Sequence, residues 1–234
     1  MTGGELFEKV RREGFAVVAG VLGAGEVASL VGALERTAKS DGGRRRGGLR
    51  NLLEVVPEAL ALAESEAVRG LVEPLLGAEC FAVRGILFDK TPAAPWKVAW
   101  HQDLSIAVRG RREVEGFGPW SLKAGVVHVQ PPAEVLARVL AVRLHLDDCD
   151  EGNGALKVLP GTHLRGRLGA AEMEELKGSV PPVTCEAKAG DALLMRPLLL
   201  HASGAPREPR PRRVIHLEFA AGRLPGGLEW RGAG

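Results

Sequence analysis

Cysteine is scarce in this chain. The three present, Cys80, Cys149 and Cys185, form no close pair, which leaves no disulfide framework and no CxxC metal knuckle. They read as buried or idle thiols. Long apolar runs are missing too: Ala192–Leu194 and Leu198–Leu200 are separated by Arg196 and Pro197 and fall far short of the roughly 20 residues of a membrane span. Met1–Val10 has no cationic stretch leading into an apolar one, so nothing there resembles a secretory signal, and the cytoplasm is the expected compartment. Nor is there a surplus of one charge. With 31 basic and 29 acidic residues the net charge is +2, and the bases mostly alternate with acids, which argues against a nucleic-acid partner. Arg44–Arg46 are the exception, inside the glycine-rich stretch Asp41–Arg50. That stretch lacks the GxxxxGK[ST] pattern and reads as a solvated loop.

What remains is an ordinary globular composition, 45% apolar and 26% charged over 234 residues, the size of a single domain spanning 1–234. The first third has helical periodicity. Val27, Leu30, Val31 and Leu34 follow the i, i+3, i+4, i+7 spacing, and Val68, Leu71, Val72 and Leu75 repeat it after a predicted N-cap at Ser65. From Phe81 the period changes to two. Leu140, Val142, Leu144 and Leu146 alternate with Ala141, Arg143, His145 and Asp147, and Ile215, Leu217 and Phe219 alternate with Val214, His216 and Glu218. Short strands between Gly/Pro turns, without regular strand–helix alternation, predict a mainly β sandwich or jelly roll. The early helices are expected to form a cover (1–78) over a jelly-roll core (79–222).

The segment Val98–Ser105 reads VAWHQDLS. As a strand it would project His101 and Asp103 from one face, about 6 to 7 Å apart along the backbone, a usable chelating pair. His201 closes an apolar run and is followed eleven positions later by Arg212. Two imidazoles and a carboxylate make the three-ligand face of non-haem Fe(II) oxygenases, with open positions opposite. A nearby arginine pairs bidentately with a carboxylate, which suggests a 2-oxoglutarate anchor.

With these residues in place the chain resembles the phytanoyl-CoA dioxygenase family of Fe(II)/2-oxoglutarate-dependent oxygenases. The likeness is carried by HQD (His101, Gln102, Asp103), by N-G-x-L-x-V-L-P-G-T-H from Asn153 to His163, by AGD at Ala189–Asp191, and by H-x-S-G from His201 followed by Arg212. The stretch from Phe81 to Phe219 is covered. The resemblance implies a double-stranded β-helix (jelly roll, cupin-like), with His101, Asp103 and His201 as iron ligands. It implies Arg212, helped by Ser203, as partner of the distal 2-oxoglutarate carboxylate, with Gln102 also near the cofactor. It further implies O2 as oxidant, succinate and CO2 as coproducts, and hydroxylation of a small-molecule C–H bond. Halogenases related to the family replace the carboxylate ligand with a small residue, so Asp103 speaks against halogenation. One departure stands out: Arg143, in VRLHLD, stands on the strand before the N-G-x-L segment, where the best-known member of the family has a tryptophan.

Several residues keep two readings. His163 closes the P-G-T-H turn and lies near the cofactor by resemblance, and a turn-stabilising role explains it equally well. His145 shares a face with Arg143 and either lines the pocket or is satisfied by neighbouring strands. His128 and His216 have no motif around them and read as structural. Arg213 should point to the opposite face from Arg212 and is the alternative anchor if the register slips by one. Two other functions also stay open: a Zn(II) hydrolase on the same ligands, and a non-enzymatic jelly-roll binding protein. Substrate specificity is expected in Ile106–Gln130, with Arg109, Arg111, Arg112, Phe117, Trp120 and Lys123, in the N-terminal helices and in the basic loop. Arginines near the pocket favour an anionic substrate.

Overall fold

A computed structural model describes residues 2–40, 48–90, 97–207 and 210–232. The chain opens with α1 (Gly3–Glu13), β1 (Phe15–Val18), α2 (Ala24–Ser40) and β2 (Gly48–Arg50), then runs through α3 (Leu52–Val55), α4 (Pro57–Glu64) and α5 (Glu66–Leu76). The strand-rich part follows: β3 (Phe81–Lys90), β4 (Val98–His101), β5 (Ile106–Val108), β6 (Trp120–Lys123), β7 (Val126–Val129), α6 (Ala133–Leu136), β8 (Val139–His145) and β9 (Leu156–Val158). The last elements are α7 (Ala170–Ser179), β10 (Val183–Cys185), β11 (Ala192–Met195), β12 (His201–Ser203) and β13 (Arg212–Ala220). No helix among the described residues is long and apolar enough to cross a membrane.

The strands form an antiparallel jelly roll that does not close into a barrel. The major sheet has the order β1-β11-β8-β13-β3-β2 and the minor sheet β10-β9-β12-β4, while β5-β7-β6 form a third, three-stranded sheet. Period-two patterning is what lets one sheet separate two environments. On β8 and β13, Leu140, Val142, Leu144, Ile215, Leu217 and Phe219 pack with Leu30 and Leu34 of α2 and Val68, Leu71 and Val72 of α5 in one buried cluster. The intervening residues Arg143, His145, Val214, His216 and Glu218 are left for the opposite face, toward the minor sheet. All of them are buried.

Helix ends follow local chemistry. Ser65 Oγ accepts from the Val68 N–H at the start of α5, as the sequence predicts, and Thr2 and Glu5 form a reciprocal capping box on α1. Gly14 ends α1 at φ 85°, a left-handed conformation that costs glycine little. A Cβ there would also lie 2.5 Å from His163 Nδ1.

Three expectations need correction. Residues 1–78 are more than a helical cover, because β1 and β2 form the two edges of the major sheet. The core does not stop at 222 either: Trp230 is 2% exposed within a second apolar cluster and bridges to Val108. In the basic stretch, 48–50 form β2, while 41–47 lie outside the described residues. The three cysteines are buried and unpaired.

Candidate metal centre and its cavity

His101 ends β4 and His201 begins β12, and the two are direct partners in the antiparallel ladder. Their ring centroids lie 4.2 Å apart. Asp103 follows just beyond β4, so the expected strand through Ser105 stops early at His101. The Asp103 N–H donates to Pro197 O at 2.9 Å, and its carboxylate sits 3.6 Å from His101 Nε2 and 3.7 Å from His201 Nε2. Each ring has its other nitrogen occupied: His101 Nδ1 lies 2.9 Å from Ala99 O, and His201 Nδ1 lies 2.8 Å from Leu199 O. A carbonyl only accepts, so Nδ1 carries the proton in both rings, and both Nε2 lone pairs are left toward Asp103. Burial pushes His201 down to about 4 despite the pull of Asp103, which keeps the ring neutral at physiological pH. Burial opposes ionisation of Asp103, yet the two histidines hold its carboxyl well below the usual carboxylate range. One ligand atom from each residue falls within 4.8 Å of the others. Two imidazoles and one carboxylate so gathered fit Fe(II), with coordination positions left open.

The motif residues that are not ligands build the frame. Asn153 exchanges two hydrogen bonds with Asp150 and donates to Asp148 O at 2.8 Å, which locks the turn before β9. The turn presents Gly154 O to two donors, Ser203 Oγ at 3.0 Å and Arg212 Nη1. Gly154 has φ 82°, and a Cβ would meet Gly204 O at 2.8 Å, so glycine is required twice over. Thr162 Oγ1 donates to Leu159 O and accepts from the Leu200 N–H at 2.9 Å, fixing the backbone one residue before His201. Asp191 of the AGD turn accepts from the Gly20 and Lys188 N–H groups.

The triad opens into a cavity of about 120 Å³ between the two sheets, lined also by Arg84, Lys90, Arg143, Ser203, Arg212 and His216. Positive charge dominates its walls. Lys90, Arg143 and Arg212 are 2%, 8% and 3% exposed. Burial and the neighbouring Arg212 push Lys90 down to about 8 and Arg143 down to about 10. The Nε atoms of Arg143 and Arg212 have no hydrogen-bond partner. Buried cations that repel one another, two of them arginines with an unused Nε donor, fit a dicarboxylate such as 2-oxoglutarate. Arg213 lies on the other face, paired with Asp147 at 2.7 Å and facing Glu35 of α2.

A hydrogen-bonded chain runs across the cavity wall formed by the major sheet. Arg143 Nη1 lies 3.1 Å from His216 Nδ1, His216 Nε2 lies 3.1 Å from Glu218 Oε1, and the same carboxylate oxygen accepts from Arg84. His216, read from sequence as structural, therefore belongs to the cavity. The missed signal was the spacing of Arg212, His216 and Glu218, polar residues at even steps on a strand whose odd positions beyond Arg213 are all apolar.

Two pocket assignments are corrected and one is narrowed. Gln102 points away from the cavity: its amide donates to Gly166 O and Leu198 O and accepts from the Leu168 N–H. Once β4 ends with His101 on the cavity side, residue 102 must turn to the opposite side. His163 packs against α1, with Nε2 3.2 Å from Arg11 O, and lines a separate cavity. His145 is buried beside Arg143 and Arg212 with neither ring nitrogen hydrogen-bonded, and burial pushes it down to about 3. It does not line the metal cavity.

Comparison with known proteins gives a consistent picture. The sequence profile described as Phytanoyl-CoA dioxygenase (PhyH) matches residues 10–214. No curated protein matches the chain. Among solved structures, AviO1 from Streptomyces viridochromogenes Tue57 is 24% identical, with a TM-score of 0.70 over 96% of this chain and 97% of its own. The epimerase SnoN, solved with Fe3+, alpha ketoglutarate and nogalamycin RO, is 21% identical with a TM-score of 0.72, covering 99% of this chain and 92% of its own. HygX from Streptomyces hygroscopicus, solved with nickel and 2-oxoglutarate, is 19% identical with a TM-score of 0.70 over 93% and 86%. At these identities the likeness establishes the jelly-roll fold.

Proposed function

The chain belongs to the phytanoyl-CoA dioxygenase family, and from that premise we propose that it is an Fe(II)- and 2-oxoglutarate-dependent oxygenase that hydroxylates a C–H bond of a small molecule. The observation that carries this reading is one cavity holding both the His101–Asp103–His201 triad and the buried cations Lys90, Arg143 and Arg212. A zinc hydrolase would use the triad but has no need of the cations. When bound, Fe(II), 2-oxoglutarate and O2 supply the oxidation, in which the keto acid becomes succinate and CO2 and one oxygen atom enters the substrate C–H bond.

The protein's own part is positioning. His101 and His201 present Nε2 because Ala99 O and Leu199 O hold their Nδ1 protons. Arg212, fixed by Gly154 O, offers its unpaired Nε edge to the distal carboxylate, and Ser203 ties Lys90 to the same end of the cavity through a 2.7 Å hydrogen bond. SnoN was solved with a small molecule bound, which supports a small-molecule substrate here, and the positive charge of the cavity walls, Arg84 among them, favours an anionic one. Three buried unpaired cysteines suit a reducing, cytoplasmic setting.

The test is calorimetric titration of 2-oxoglutarate into metal-loaded protein without oxygen, followed by a screen for succinate release against candidate substrates with Fe(II) and air. Binding followed by substrate-stimulated succinate is expected. Absence of 2-oxoglutarate binding would overturn the reading.

A further inference from the structure

Beside the metal cavity lies a second cleft of about 210 Å³, and the two share Arg84 and Ile86 in their walls. One side of this outer cleft is β3 with the start of α3, and the other is the β6–β7 hairpin. Four cations line it, Arg50, Arg84, Lys123 and Arg231, against a single carboxylate, Glu54. Glu54 is taken by Arg231, whose Nε donates to it at 2.7 Å, and Arg84 is held by Glu218. Arg50 and Lys123 remain. Among the described residues no carboxylate lies within ion-pair distance of either, and the Lys123 ammonium donates only to Ser105 Oγ, at 3.0 Å.

The backbone goes to some cost to bring these charges together. The hairpin turns at Ala124 and Gly125, both with positive φ (49° and 78°), a region that strains any residue with a Cβ. Asn51, itself left-handed at φ 61°, donates to Ala124 O at 3.1 Å and ties the hairpin tip to the start of α3. The tie holds Lys123 across the cleft from Arg50, the residue just before Asn51. Burial and the charges of Arg84 and Arg50 push Lys123 below its ordinary value. At the junction with the metal cavity, Arg84 keeps a buried Nε with no partner. Like charges gathered in a partly dry cleft are stabilised by an anion from outside.

We propose that this outer cleft receives an oxyanion carried by the substrate, a carboxylate or a phosphate, with Lys123 and Arg50 as its partners. The remainder of the molecule then runs past Ile86 and Arg84 to the open side of the triad. Leu53, Leu60, Ile86 and Val126 line the same cleft and suit an apolar body behind the charged group. Placement of the reacting carbon rests on the oxygenase reading given above; the anion site itself does not.

The experiment uses three probes of similar shape, 4-phenylbutyrate, 3-phenylpropyl phosphate and the neutral 4-phenylbutanamide. Each is titrated into protein loaded with Fe(II) and saturated with 2-oxoglutarate in the absence of oxygen. At least one charged probe should bind ten times more tightly than the amide, and the tighter of the two identifies the anion. Lys123→Met and Arg50→Met should each weaken that probe about tenfold, with Lys123→Arg retaining it. Both residues stand at the cleft rim, so the variants should fold, which circular dichroism checks. Equal binding of the amide, unchanged affinity in both Met variants, or no binding of either charged probe to wild type would each overturn the proposal. Failure of 2-oxoglutarate itself to bind sinks the oxygenase reading instead. The charged probes, titrated without it, still report on the outer cleft through their dependence on Lys123.

Discussion

His101 and His201, a hundred positions apart in the chain, are paired residue to residue across the β4–β12 ladder, with ring centroids 4.2 Å apart. The ladder sets their separation, and the carboxylate between them comes from the turn that leaves β4. A metal centre so placed depends on strand pairing more than on side-chain packing.

Replacing any of the three ligands should remove the function and leave the fold. His101→Ala, Asp103→Ala and His201→Ala are each expected to abolish Fe(II)-dependent succinate formation, because two remaining ligands no longer make a three-ligand face. Anaerobic Fe(II) titration and far-UV circular dichroism together separate lost binding from lost structure. Near-wild-type turnover in all three variants would remove the triad from the mechanism.

Arg212 and its neighbour should behave oppositely. Truncating one partner of a buried charge pair costs about 2 to 5 kcal/mol, so Arg212→Ala should weaken 2-oxoglutarate binding by about thirtyfold to several thousandfold. Arg213→Ala should leave that affinity unchanged, since Arg213 pairs with Asp147 on the other face. Loss of binding in Arg213→Ala alone would reverse the assignment.

Lys90 provides a pH test. Its folded-state value of about 8 lies below the ordinary 10.5, so the unfolded chain binds more protons between these values and stability rises with pH across that interval. Below pH 8 the full penalty of a buried ammonium is present. Lys90→Met should therefore stabilise protein stripped of 2-oxoglutarate by on the order of 2 kcal/mol at pH 7, net of the lost hydrogen bonds. The gain should shrink toward pH 10.5, while 2-oxoglutarate binding weakens. Urea denaturation at pH 7 and pH 10 reads the first effect and calorimetry the second; a stability difference constant across pH would contradict it.

Gln102 should matter to stability and not to the cofactor. Its side chain satisfies three buried or half-buried backbone groups, so Gln102→Ala is expected to cost about 1 to 3 kcal/mol in denaturant unfolding. The 2-oxoglutarate dissociation constant should move less than twofold. A large loss of affinity without loss of stability would put Gln102 back beside the cofactor.

The legible part of this protein was the part written in side-chain periodicity and in short motifs. Alternation on 140–146 and 214–219 predicted β8 and β13 with Leu140, Val142 and Leu144 on one face and Arg143 on the other, and Ser65 marked the start of α5. Spacing alone placed Arg212 and Arg213 on opposite faces. Four-residue β1 and three-residue β2 are too short to show a period, and their strand character comes from partners far along the chain. His216 and Glu218 gain meaning only when β13 lies between β8 and β3, bringing Arg143 and Arg84 to them. Gln102 and His163 were read through their motif neighbours. Tight turns and a strand end decide where these two side chains go, and neither is visible as a pattern.

The edge strands of the major sheet also set an order of events during synthesis. Phe15 pairs with Met195, 180 positions further on, while Leu49 pairs with Leu87. A chain emerging from the ribosome therefore produces β1 long before β11 and must hold it without its partner until β11 has been made. Contacts that close such long loops form late and slow folding. Until then β1 has no strand beside it and the apolar side of α1 has little to cover it, surfaces of the kind that make a partly made chain prone to aggregate. Of the six strands of the major sheet, the one made earliest is the one whose place is settled last.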